Sequence, residues 1–172
     1  MATLDRLFLK FATDKLGQLS SRIVDCLGRL AEDRIWSRDS QNQNAVGNLV
    51  LHLCGNVRQW IISGVGGEAD ARDRDAELAA RGEVSGAELA ARLEETMAGA
   101  LEIIRNTTAE RLTETVRIQG YEVSVLEAIG HVTEHFAQHT GQIIYATKLL
   151  TGADLGYYRH LSKTPAHGEK TP

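Results

Sequence analysis

Apolar residues recur every three to five positions along four long stretches of this chain, and that period predicts helices. The first runs from about Thr3 to Leu30. Leu4, Phe8, Phe11, Leu16, Leu19, Ile23, Leu27 and Leu30 form its apolar face, and Thr3 stands where an N-cap would. Asp14, Lys15, Arg22 and Asp25 fall between those positions, as a solvated face requires. Residues 31–43 then turn polar around Trp36. That is long for a structureless loop, so part of it is expected to pack or coil. A second helix is expected from about Asn44 to Gly64, capped by Asn42 or Asn44, with Val46, Leu49, Val50, Leu53, Val57, Trp60 and Ile61 on it.

Residues 64–84 are glycine-rich, then charged. The alternation Arg72, Asp73, Arg74, Asp75 reads as a solvated turn region. Ser85 with Glu88 forms a capping-box pattern and opens a third helix that runs to about Asn106. Leu89, Leu93, Met97, Leu101 and Ile104 are its core stripe. Residues 113–123 alternate as a strand does around Gln119-Gly120, which allows a short hairpin. Ser124 with Glu127 is a second capping box. The helix after it runs to about Leu150 and stops at Gly152, a length of about 40 Å. The pattern predicts an all-α four-helix bundle with long connections, in one domain over residues 1–161, and a polar tail at 162–172.

Composition narrows the picture by exclusion. A net charge of -4 and 5% aromatics argue against a nucleic-acid partner. No apolar run approaches the ~18 residues needed to span a membrane, and charges near the start interrupt any signal-peptide core. A soluble, cytoplasmic protein is expected. Cys26 and Cys54 lie in apolar helical patterns and read as buried core residues.

Chemistry concentrates in the fourth helix. His131, His135 and His139 recur at four-residue steps, with Glu134 and Gln138 between them. An adjacent pair can aim at one metal ion, but His131 and His139 stand about 12 Å apart along the axis. One pair must therefore be completed from another helix. The second helix offers His52, within a polar stripe of Asn44, Asn48, His52 and Asn56 on an otherwise apolar surface. Cys54 points away from that stripe and is excluded as a partner. Two bland or rival readings remain. The stripes can form a buried hydrogen-bond network without a metal. His131, Glu134 and His135 also spell the H-x-x-E-H pattern of some zinc peptidases, in a chain with no substrate-binding sheet.

The combination N-L-V-L-H-L-C-G-N in the second helix with E-H-x-x-x-H-x-G-Q in the fourth resembles the DinB/YfiT-like superfamily of metal-dependent enzymes, over about residues 4–150. The polar connection before the second helix and the R-D-R-D segment resemble one uncharacterised branch of it. The resemblance implies a four-helix bundle, commonly a homodimer, holding zinc or nickel through three histidines with open positions. Carried over, the ligands are His52, His135 and His139. His131 becomes a pocket-lining or outer group, with Asn48 and Asn56 beside the site. Members with known activity use the ion to activate a low-molecular-weight thiol for transfer or isomerisation.

Many relatives carry Arg in H-R-G-Q where this chain has Thr140, so that Arg's role is not carried over. Glu134 points about 100° from its neighbouring ligand, which counts against it as a general base. Gln142 is placed to orient a ligand or a substrate. The expectation is a metal-dependent thiol transferase or hydrolase acting on a small molecule. The alternative is a non-catalytic metal-binding or structural dimer with a stress-related role.

Overall fold

The structure, a computed structural model, describes residues 2–161. The polar tail read at 162–172 lies outside the described residues. Four long helical segments form an all-α bundle. They are α1 (Leu4–Arg29), α3 (Val46–Val57, continued by a π-helical stretch Arg58–Val65), α5 (Gly86–Asn106) and α7 (Val125–Thr151). Short helices α2 (Glu32–Ile35), α4 (Arg74–Ala79) and α6 (Ala109–Thr113) fill the connections. Strands β1 (Thr115–Ile118) and β2 (Tyr121–Ser124) form the hairpin, antiparallel with Ile118 opposite Tyr121. Gln119 and Gly120 both take positive φ in its turn, the requirement of a tight two-residue hairpin.

The helix ends follow local chemistry. Ser85 and Ser124 each accept a backbone N–H three residues on, while Glu88 and Glu127 reach back to the serine N–H groups. Gly152 closes α7 in the left-handed conformation at φ 67°, where a side chain would be strained. Thr3 stands at the first N-cap, but its side chain makes no capping bond. The second helix is capped at Ala45 and not at Asn42 or Asn44. The Asn48 side-chain carbonyl accepts the Ala45 N–H, so the capping oxygen comes from inside the helix.

α1 packs on α5 and α7, and α3 packs on the same two helices, so α1 and α3 face each other across the diagonal. An order in which each helix neighbours the next is thereby ruled out. The polar connection after α1 carries the chain across: Ile35 is buried, and Trp36 lies against Gly47, where a Cβ would come within 2.8 Å of the indole. The Trp36 N–H donates to Val84 O at 2.9 Å. The shared core includes Leu16, Ile23, Leu53, Ile61, Leu89, Leu93, Ile104, Ile129, Phe136 and Ile143, all fully buried. At its start α1 departs from the expected face. Leu4 and Phe11 are exposed, and Leu9 and Ala12 are buried in their place. No described helix is long and apolar enough to cross a membrane.

The charged segment after α3 is not a solvated turn throughout. It folds back as α4 against α3. The Arg72 side chain is only 4% exposed, while Arg74 and Asp75 remain on the surface. The alternation hid this because one charged residue in four turns inward to meet another. Asn48 fastens the segment: its amide donates to Glu77 O and Ala80 O, both at 3.0 Å, and Arg38 bonds its carbonyl.

Candidate metal centre

α7 presents a polar stripe because its buried residues, Val132, Phe136, Thr140 and Ile143, take the core side. His131, His135 and His139 therefore share the flank toward α3, one turn apart. On α3, His52 is buried between Leu49 and Leu53 and meets that flank. The Nε2 atoms of His52 and His135 lie 3.0 Å apart. His139 sets its ring edge-on to both, with centroids 5.1 Å from His52 and 4.5 Å from His135. Ligand atoms of His52, His135 and His139 all lie within 4.8 Å of one another, and this three-histidine group could hold a metal ion.

The donor set suits a divalent ion of borderline softness. It is three imidazoles from two helices. Burial, then the neighbouring His139, His131 and His52, pushes the His135 pKa down to about 4. Burial lowers that of His139 as well, against a hydrogen bond to Gln142 that raises it. His139 Nδ1 lies 2.7 Å from Gln142 Oε1, so Nδ1–H donates there and Nε2 is left with its lone pair.

His131 stands outside the group. Its ring stacks on His135 at 5.6 Å and on Trp60 at 4.0 Å, forming a wall one turn away. Glu134 is exposed and lines a surface depression with Phe8, Phe11 and Lys15 on the α1 side. The two residues that would complete a peptidase-type H-x-x-E-H site are thus not among the converging atoms. Asn56 is buried one turn after His52, and its Oδ1 has no partner among the described residues, as is true of Trp60 Nε1 one turn further on. Asn48 spends its amide on the Ala45 N–H, Arg38 and α4. Thr140 is buried and donates to Phe136 O, its own helix backbone. Cys54 is buried and its thiol is pushed up to about 12 by desolvation, so it stays protonated and outside the group.

Sequence reasoning did not find Arg72 and Glu77. Glu77 Oε2 lies 3.3 Å from His52 Nδ1. Burial alone would raise the Glu77 pKa. Hydrogen bonds from Arg72 and His52 outweigh it and hold the carboxyl below its ordinary value. The available signal was indirect: a buried ligand histidine needs something at its second ring nitrogen.

Protonation should work against the metal-free fold in acid. The unfolded chain takes up a proton at His135 near pH 6.5, and the folded chain only near 4. Between those values the unfolded state binds more protons, so stability is full above about 6.5 and falls as the pH drops toward 4. In chelator-treated protein the melting temperature should fall across that window. His135→Gln should flatten the slope, and an unchanged slope would contradict the burial of this ring.

A family described as "Protein of unknown function (DUF1572)" matches residues 3–164. No curated protein matches the sequence. Solved structures share the fold. A conserved protein from Enterococcus faecalis aligns at 13% identity over 84% of this chain and 97% of that one, with a TM-score of 0.67. The DinB-like protein YjoA from Bacillus subtilis aligns at 13% identity over 86% and 96%, with a TM-score of 0.66. A DinB-like protein from Bacillus cereus aligns at 15% identity over 76% and 85%, with a TM-score of 0.62. The fold is DinB-like.

Proposed function

This chain belongs to the DUF1572 family, and from that premise we propose that it is a divalent-metal-dependent enzyme acting on a small molecule. His52, His135 and His139 would hold zinc or nickel and leave room for a substrate atom. One observation carries the reading: imidazole nitrogens from two helices meet at 3.0 Å in a half-buried site, with the third histidine close enough to share one ion. When bound, such an ion acidifies a coordinated thiol or water at neutral pH. Gln142 orients His139. The Trp60 and His131 rings pack at a tilt with centroids 4.0 Å apart and wall one side of the site. The first reaction to test is transfer of a low-molecular-weight thiol to an electrophile, and the second is hydrolysis. Cytoplasmic residence fits this reading, since both cysteines are free and buried. A homodimer is part of it too. Leu4, Leu7 and Phe11 are exposed on α1, and Leu126, Tyr145 and Leu149 on α7, apolar side chains that a second copy would cover.

One feature favours the non-catalytic alternative. Glu77, the carboxylate bonded to His52, has both oxygens engaged by Arg72, so it is not free to act as a general base. The deciding experiment is metal analysis followed by turnover assays with a panel of small thiols, an aryl halide and activated esters. The enzyme reading expects about one zinc or nickel per chain and a rate that chelation abolishes. Stoichiometric metal with no turnover on any substrate would leave the binding role.

A further inference from the structure

We propose that Glu77 is the positioning residue of the three-histidine site. It fixes His52 in the form that carries its proton on Nδ1, leaving Nε2 free for a divalent cation. The proposal rests on the metal-binding reading above but can be decided without metal.

A neutral imidazole has one N–H, so the group facing one nitrogen decides what the other can do. His52 Nδ1 has two neighbours that make opposite demands. Glu77 Oε2, 3.3 Å away, can only accept; Arg72 Nη2, 3.1 Å away, can only donate. If Arg72 donated to Nδ1, the proton would sit on Nε2 and block it as a ligand. If Nδ1–H donates to Glu77, Nε2 presents its lone pair to the cluster. Arg72 keeps three hydrogen bonds that do not involve His52. Its Nε and Nη2 donate to the two Glu77 oxygens, each at 2.8 Å, and its Nη1 donates to Gln59 Oε1 at 3.0 Å. Glu77 supplies the acceptor that the metal-competent form of His52 needs, and Arg72 neutralises it and keeps it from turning toward the ion.

The carboxylate is held there by its backbone and by clearance. Asp73 caps α4 through the Ala76 N–H at 2.9 Å. Asn48, one turn before His52, holds Glu77 O at 3.0 Å. Consecutive turns of α3 thus grip the main chain and the side chain of one residue. Gly55 clears the seat: a Cβ there would lie 1.8 Å from Glu77 Oε1 and 2.6 Å from its Cδ. The Glu77 and Arg72 side chains are 11% and 4% exposed, so solvent does little to reorganise them. An acceptor on the second nitrogen of a ligand histidine commonly changes metal affinity by 10- to 100-fold.

The test has two arms. Metal-free protein labelled with 15N reports the His52 tautomer by its ring-nitrogen shifts. Wild type is expected to show Nδ1–H, and Glu77→Gln a loss of that preference. Zinc titration against a competing chelator should then show about 10- to 100-fold weaker binding in Glu77→Gln at unchanged stoichiometry. Gly55→Ala, which keeps every ligand and the carboxylate, should weaken it in the same direction. Arg72→Gln with Glu77→Gln removes the charge pair together and guards against misfolding from a lone buried arginine. It too should bind weakly. Nε2–H on His52 in the wild type, or wild-type zinc affinity in Glu77→Gln and the double variant, would overturn the proposal. If wild type binds no zinc, the metal reading fails, and the tautomer arm still decides the role of Glu77.

Discussion

Alanine at His52 is expected to abolish stable metal retention, from about one ion per chain to none after desalting. His52 is the single ligand candidate on α3, while His135 and His139 share one helix. Two imidazoles on one helical flank cannot close around an ion without a group from across the interface. The loss should exceed the roughly 100-fold that removal of an outer partner causes. A second readout follows from linkage. Zinc at 100 times its dissociation constant stabilises the folded wild type by about 2.7 kcal/mol, and this increment should vanish in His52→Ala. Elemental analysis and thermal scans with and without zinc measure both effects. His131→Ala is the matched control, since that ring stacks on Trp60 outside the converging group, and it should retain metal. Equal metal in His52→Ala and wild type would remove His52 from the ligand set.

Phe136→Ala should produce the largest loss of stability, about 3–5 kcal/mol. Phe136 is fully buried near the middle of α7, against the core that α1, α3 and α5 share. The cost combines lost transfer energy with a cavity that rigid helices cannot collapse around. It is a large fraction of the 5–15 kcal/mol that holds a typical domain together. Urea unfolding should show a lower midpoint at nearly unchanged slope. A cost under about 1 kcal/mol would mean the ring does not pack as described. The variant also bears on the site, because His135 precedes Phe136 and takes its direction from the same turn of helix.

What could be read from the sequence was what depends on neighbours in the chain. Both serine–glutamate capping boxes, the Gly152 stop and the Gln119-Gly120 turn are local devices, and each is found where its residues stand. The four helices followed from period alone. The face shared by His131, His135 and His139 followed from the same arithmetic, but which two approach His52 did not, because every adjacent pair is equivalent along an ideal helix. That choice came from resemblance, and the three atoms it singled out lie within 4.8 Å of one another.

What could not be read was decided by tertiary contact. Arg72 and Glu77 are five residues apart across the start of a short helix, a spacing that no helical pairing rule flags. Asn48 looked like a member of the polar stripe at the site, and it also caps its own helix and clamps the next one. The exposed Phe11 and Leu4 satisfied the apolar period of α1 without being covered.

The wide turns at 58–65 also affect how this chain lines up with its relatives. Gly66 N–H bonds Ile61 O, five residues back, so this stretch takes more residues per turn than an α-helix. A related protein whose helix stays α-wound needs fewer residues for the same number of turns between His52 and the end of that helix. An alignment that forbids gaps inside helices will then drift out of register toward the end of that stretch. At 13% identity nothing else in the stretch would expose the slip. Residue roles transferred across it should be anchored on His52 from one side and on the hairpin from the other.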